Sequence, residues 1–310
     1  MERAGPVIPQ PYKPSGGYRD VCLLASVWAA ARTVQQYDAQ PATAALVAAQ
    51  AALYLKPKGY ALLQVGTNAH RVLHHGEWRR VAAGAMLHSN VPHLLGNCSR
   101  LVSVGMPMER RLGSPGFAAL AAACAAASSA LYLLSARLAA GWLPDSGLAH
   151  KYFMSFPVGF SGALLALSVV GGYLVEARSA SGAGGPCSPA QPWQALMGHF
   201  LAGRLGCWPN LLLSHALAPK ASLPGHMCGI GAGVLIVYAA RGLRWLAARL
   251  LGDAGGGASQ HNGGLAQRLG LLSLGGATDH PSLGWRDLGC HVLLAAATML
   301  ALRLVADKGG

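Results

Sequence analysis

The chain has 310 residues, of which 53% are hydrophobic and only 11% charged. Soluble domains carry about a quarter charged residues, so the composition excludes an ordinary soluble globular domain and points to a helical membrane protein. The formal net charge is +13, but the basic residues are scattered. No basic stripe with aromatic partners is present, which argues against a nucleic-acid binder. Seven cysteines occur without a CxxC spacing, so neither a disulfide framework nor a zinc site is indicated. No metal and no cofactor is expected.

Residues 1–40 read as an N-terminal segment with a Pro-rich lead, expected to lie in the cytosol, and residues 20–35 are apolar enough for an interfacial helix or a short extra span. Residues 41–55 form the first short apolar helix. Residues 57–85 are mixed and read as a long loop lying at the membrane interface, with Trp78 as an anchor. Residues 86–106 have the length of a span but carry His88, His93, Asn97 and Arg100. Residues 116–140 are the clearest span, and 153–175 follow as the fourth. A Gly/Ser/Pro-rich loop covers 177–192. Residues 195–217 are apolar but interrupted by Arg204 and Pro209, and 225–240 form a glycine-rich last helix. The expected fold is therefore an all-α membrane bundle of six transmembrane helices. Residues 241–310 read as a Gly-rich tail, whose apolar segment 288–302 leaves an extra interfacial or seventh helix open. Six spans put both termini on one side, which the basic residues after the spans mark as cytosolic. Lys56, Lys58, Arg71, Arg79 and Arg80 in the first loop run against that rule.

Polar groups inside spans are costly and face a protein interior or a wet cavity. Ser161 stands near the start of the fourth span in "PVGFSG", with Pro157 expected in the helix's first turn. Free N–H groups and the positive end of the helix dipole gather there and suit a developing oxyanion. Gly159 and Gly162 allow close backbone approach. The same residues also fit a plain packing face with a serine bonded to its own helix. In "GHMCGIGAGV", Gly225, Gly229 and Gly233 recur every four residues and share one helix face. That smooth face, set against the glycines of the fourth span, would bring His226 to Ser161 as a general base. His93 and Asn97 also share a face and can donate to a charged oxygen, or serve as polar glue between helices. Asp145 precedes the fourth span and Glu176 follows it, so the last three spans offer no carboxylate for a triad. The available arrangement is a Ser–His dyad. HExxH and paired intramembrane aspartates are both absent.

"HSNVPHLLGN", "MERRLGS", "GFSG" and "GHMCGIGAG" occur in that order across roughly 41–240. In order and spacing they resemble the rhomboid intramembrane serine proteases, most closely the animal ER-resident subgroup. The resemblance implies a protease domain over 41–240, with Ser161 as nucleophile and His226 as base. His93 and Asn97 would stabilise the oxyanion. Arg80, His88, Glu109, Arg111, Gly113, Gly159, Gly162, Gly229 and Gly233 would supply structural support. The implied reaction is endoproteolysis of transmembrane protein substrates within the lipid bilayer, without nucleic acid or metal. Leu165 stands where the family often has an aromatic packed on the catalytic histidine. Two other classes stay open: a catalytically silent rhomboid-like protein that binds membrane clients, and a small transporter with a histidine proton relay. A transporter would be expected to carry intramembrane carboxylates.

Overall fold

The computed structural model describes residues 40–55, 62–180, 206–217, 222–252, 291–293 and 295. Among these residues the secondary structure is helical, with no strand. The expected interfacial helix at 20–35, residues 181–192 of the expected loop, the start of the fifth span and most of the tail lie outside the described residues.

In chain order the helices are α1 (Pro41–Tyr54), α2 (Leu62–Val65), α3 (Ala69–His75), α4 (Arg79–Met86), α5 (Val91–Trp142), α6 (Gly147–Met154), α7 (Ser161–Ala180), α8 (Cys207–Leu217) and α9 (Leu223–Gly252). α5 and the Leu223–Leu243 part of α9 are long and apolar enough to cross a membrane; α1 and Ser161–Leu174 are shorter apolar helices. Leu134, Leu138, Leu235 and Leu243 are exposed on α5 and α9. Apolar residues facing outward suit a lipid surrounding rather than water.

α5 joins the expected second and third spans. Its 52 residues would measure about 78 Å if straight, far beyond a hydrocarbon core of about 30 Å. Gly113 breaks it, with φ 73° and ψ 161°. A side chain there would be strained, so the residue type is tied to the break. Gly105 and Phe117 show that the chain folds back at this point. They would be about 18 Å apart along a straight helix, yet a Cβ on Gly105 would lie 2.9 Å from the Phe117 ring. Pro115 opens the second half, where a missing N–H costs least.

Four further features depart from the sequence expectation. Residues 62–86 form three short helices instead of a loop. Asn68 caps α3 by accepting from the Arg71 N–H, and Gly76 ends it in a left-handed conformation. Pro157 lies in an extended segment before α7, which starts only at Ser161. Pro209 does not interrupt α8 but sits in its first turn, where proline is tolerated. α7 runs through Glu176 to Ala180, and α9 runs past residue 240 to Gly252, because the residues beyond the apolar core are good helix formers.

One core unites α1, both halves of α5, α7, α8 and α9, with Leu94, Leu101, Phe117, Leu164, Leu165 and Leu211 fully buried in it. α7 and α9 meet backbone to backbone. A Cβ on Gly229 would collide with the Gly162 carbonyl oxygen, and one on Gly233 would lie 2.7 Å from the Ala166 oxygen. The four-residue glycine repeat of α9 is therefore its contact face with α7.

Candidate active site

Ser161 is the first residue of α7. His226 lies one turn into α9, whose start is capped by Ser222 accepting from the Gly225 N–H at 3.2 Å. The close seam between the two helices brings the side chains together across 65 residues of sequence. His226 Nε2 and Ser161 Oγ are 2.8 Å apart, the reach needed for proton transfer. His226 is buried.

His93 and Asn97 come from the first half of α5. Asn90 caps that helix, accepting from the His93 N–H at 2.9 Å. Ser89 Oγ lies 3.1 Å from His93 Nδ1. With Ser89 donating, the ring carries its proton on Nε2 and turns that donor toward the Ser161 approach. Gly159 separates the two elements with φ 114°. A Cβ on it would lie 2.6 Å from His93 Nε2 and 3.3 Å from Asn97 Nδ2. Only glycine fits here, on both counts. Among the described residues the buried Asn97 Nδ2 has no hydrogen-bond partner, a costly state for a donor unless its position serves a purpose. His88 precedes α5 and packs edge-on against His93 with ring centroids 5.0 Å apart.

The segment leading to Ser161 is gripped by residues 62–86. Thr67 N–H donates to the Pro157 oxygen at 3.0 Å, and Gly159 N–H to the Gly84 oxygen at 2.7 Å. Asn68 Nδ2 donates to the Ser155 oxygen at 3.0 Å. A Cβ on Gly84 would lie 2.8 Å from the Thr67 nitrogen, so this collar is itself tightly packed. Arg80 holds the collar from inside. It is buried and donates from Nη1 to the Leu63 oxygen at 2.7 Å and the Gly66 oxygen at 3.3 Å. Its Nε pairs with the Glu77 carboxylate. Hydrogen bonds from Arg80 and then Arg71 hold that carboxyl below the usual glutamate value. Trp78, beside it, is 61% exposed.

Glu109 and Arg111 act farther off. Glu109 accepts from the Ala42 N–H at 2.8 Å, the Thr43 N–H at 2.7 Å and the Thr43 hydroxyl at 2.7 Å. It thereby caps α1, whose own N-cap residue Gln40 makes no side-chain cap. Arg111 donates to the Leu174 oxygen at 2.7 Å and ties the α5 break to α7.

Ser161, His226, His93, Asn97, His88, Gly159, Gly162 and Gly229 thus converge. Arg80 supports them through the collar, while Glu109, Arg111, Gly113 and Gly233 lie away from the Ser161 hydroxyl. Three groups escaped the sequence reading: Ser89, the Thr67–Asn68 pair and His215. For His215 a signal existed, since a histidine inside an apolar segment is unusual.

The Rhomboid domain family matches residues 75–242, more than half of the chain. The chain belongs to the rhomboid family. This rhomboid is an integral membrane protein folded as a multi-helix bundle. It is similar to "Rhomboid-like protein 14, mitochondrial" of Arabidopsis thaliana, 30% identical over 200 residues, covering 63% of this chain and 54% of that one. It is also similar to human "Rhomboid-related protein 4", 27% identical over 159 residues, covering 51% of this chain and 45% of the human one. Similarity to "Rhomboid-like protein 15" of Arabidopsis thaliana is 30% over 160 residues, covering 51% and 36%. The chain spans about half the length of the first curated relatives it matches. No solved structure matches it.

Proposed function

We propose that this rhomboid is an intramembrane serine endopeptidase that cuts transmembrane segments of other membrane proteins. The observation carrying the reading is the 2.8 Å contact between His226 Nε2 and Ser161 Oγ at the start of α7. His226 takes the Ser161 proton as the oxygen attacks the scissile carbonyl. The charge on the carbonyl oxygen is met by Asn97 Nδ2, His93 Nε2 and the N–H groups opening α7. His226 then returns the proton to the leaving amine, and water hydrolyses the acyl-enzyme with His226 again as base. The substrate must unwind locally to present its carbonyl, and water must arrive along the polar side of the bundle.

The protease domain is assigned to 41–240, with six spans: α1, the two halves of α5, α7, the span expected at 195–217 whose described part is α8, and α9. Residues 1–40 and the tail beyond 240 flank it. The subgroup resemblance favours the ER membrane, whereas the name of one Arabidopsis relative, "Rhomboid-like protein 14, mitochondrial", points to mitochondria. Imaging of tagged full chain against markers for both decides between them.

The direct test is cleavage of a model transmembrane substrate in liposomes by wild type, Ser161→Ala and His226→Ala, each matched for folding. Cutting by wild type alone is expected, together with fluorophosphonate labelling of Ser161. Neither cutting nor labelling by wild type would overturn the reading in favour of a silent client binder.

A further inference from the structure

Ser161 and His226 leave one ring nitrogen unexplained. His226 Nδ1 lies 3.1 Å from His215 Nε2 on α8. The two rings pack edge-on, 5.0 Å between centroids at 76°. For His226 Nε2 to accept the serine proton it must be bare, so Nδ1 carries the hydrogen. His215 Nε2 then has one role open to it, that of acceptor.

We infer that His215 is the positioning residue of this site: it accepts the Nδ1–H of His226 and so holds that ring in the tautomer and orientation that serve Ser161. The inference rests on the protease reading for its catalytic consequence, though not for its geometry. A group that bonds the far nitrogen of a catalytic imidazole fixes its tautomer and supports the imidazolium when it forms. Among the described residues no carboxylate bonds His226, and a neutral imidazole is an acceptor that can be kept in an apolar setting at lower cost than a carboxylate.

Two further contacts hold His215 where it is needed. The adjacent Ser214 hydroxyl accepts from Arg100 Nη1 at 2.8 Å and donates to the Asn210 oxygen at 2.7 Å. Arg100 lies three residues after Asn97, on the same side of α5. One stretch of α5 therefore presents an oxyanion donor and also anchors the helix that carries His215. Leu165 of α7 is fully buried but aliphatic, and the ring packed on His226 is that of His215 on α8.

Two substitutions separate orientation from packing. His215→Phe keeps a flat ring and removes the acceptor. His215→Gln removes the ring and places an amide oxygen at a similar reach. If His215 positions His226, His215→Phe lowers kcat about 100-fold with KM within about twofold, and His215→Gln recovers most of that loss. Equal rates for His215→Phe and wild type would overturn the inference, as would His215→Gln being as slow as His215→Phe. Unfolding midpoints and fluorophosphonate labelling rates of Ser161 accompany each variant. Nitrogen NMR of full chain labelled in histidine reads the geometry without any turnover. The Nδ1–H tautomer of His226 in wild type, lost in His215→Phe, supports the inference; an Nε2–H tautomer in wild type sinks it. An inactive, unlabelled wild type that still shows the Nδ1–H tautomer would overturn the protease reading and leave the positioning contact standing.

Discussion

The two sides of the site are held by different forces. On one side, α7 and α9 meet through glycines, backbone against backbone at Gly162 and Gly229, and this seam sets the Ser161–His226 distance. On the other, the collar of residues 62–86 grips the chain before Ser161 through hydrogen bonds from Thr67, Asn68 and Gly159, with Arg80 bracing it. The seam is steric and close to all-or-none, since two backbones either touch or are wedged apart. The collar is polar and divisible, since each hydrogen bond contributes about 1 kcal/mol on its own. Alignment of Ser161 and His226, the proposed nucleophile and base, thus depends on a contact that tolerates no insertion, while the proposed oxyanion side depends on bonds that can be loosened one at a time.

The largest effect is expected at the seam. Gly229→Val must push α9 off the Gly162 carbonyl, at a cost of about 3 kcal/mol or more. It should lower the unfolding midpoint and abolish fluorophosphonate labelling. A variant with unchanged midpoint and labelling would show that the seam yields like ordinary packing.

Gly159→Ala comes next, where collar and oxyanion side meet. Its φ of 114° is strained for alanine, and the new methyl would press on His93. The strain costs about 1–3 kcal/mol, and displacing His93 and Asn97 should lower kcat about 100-fold. Labelling of Ser161 by a small fluorophosphonate should suffer less than peptide cleavage. Equal losses in the two assays would place Gly159 on the seam's side of the comparison.

The smallest effect belongs to the collar's outer bond. Glu77 titrates below the usual glutamate value because Arg80 and Arg71 hold its charged form. A depressed folded value means the contribution is complete above the ordinary glutamate range and is lost as pH falls through the lower folded value. Hydrogen exchange over residues 62–86 should therefore quicken in that acid window and not near neutrality. Glu77→Gln should show the quicker exchange at every pH and remove the dependence. Exchange insensitive to both changes would mean that the bonds of Arg80 to Leu63 and Gly66 suffice alone.

Much of the seam was readable from sequence. The four-residue glycine spacing in "GHMCGIGAG" assigns α9's contact face without knowledge of its partner. The collar was not, because residues 62–86 lack a long apolar period and form three short helices held by caps and distant carbonyls. Proline misled twice for one reason: its place relative to a helix start depends on where capping begins. Pro157 proved to precede α7, and Pro209 to belong to the first turn of α8.

By itself the sequence determined that the chain is helical and membrane-bound, where the polar residues fall along its apolar runs, and which glycines share a face. Those are properties of composition and of a 3.6-residue period, and each is written within one turn or one span. The tertiary structure alone decided that Glu109 caps α1 across 66 and 67 residues, and that Arg80 turns inward to the collar's carbonyls. It likewise decided that His226 meets His215 on one nitrogen and Ser161 on the other. Hydrogen bonds between helices depend on register and crossing geometry, and no local pattern encodes which two faces will meet.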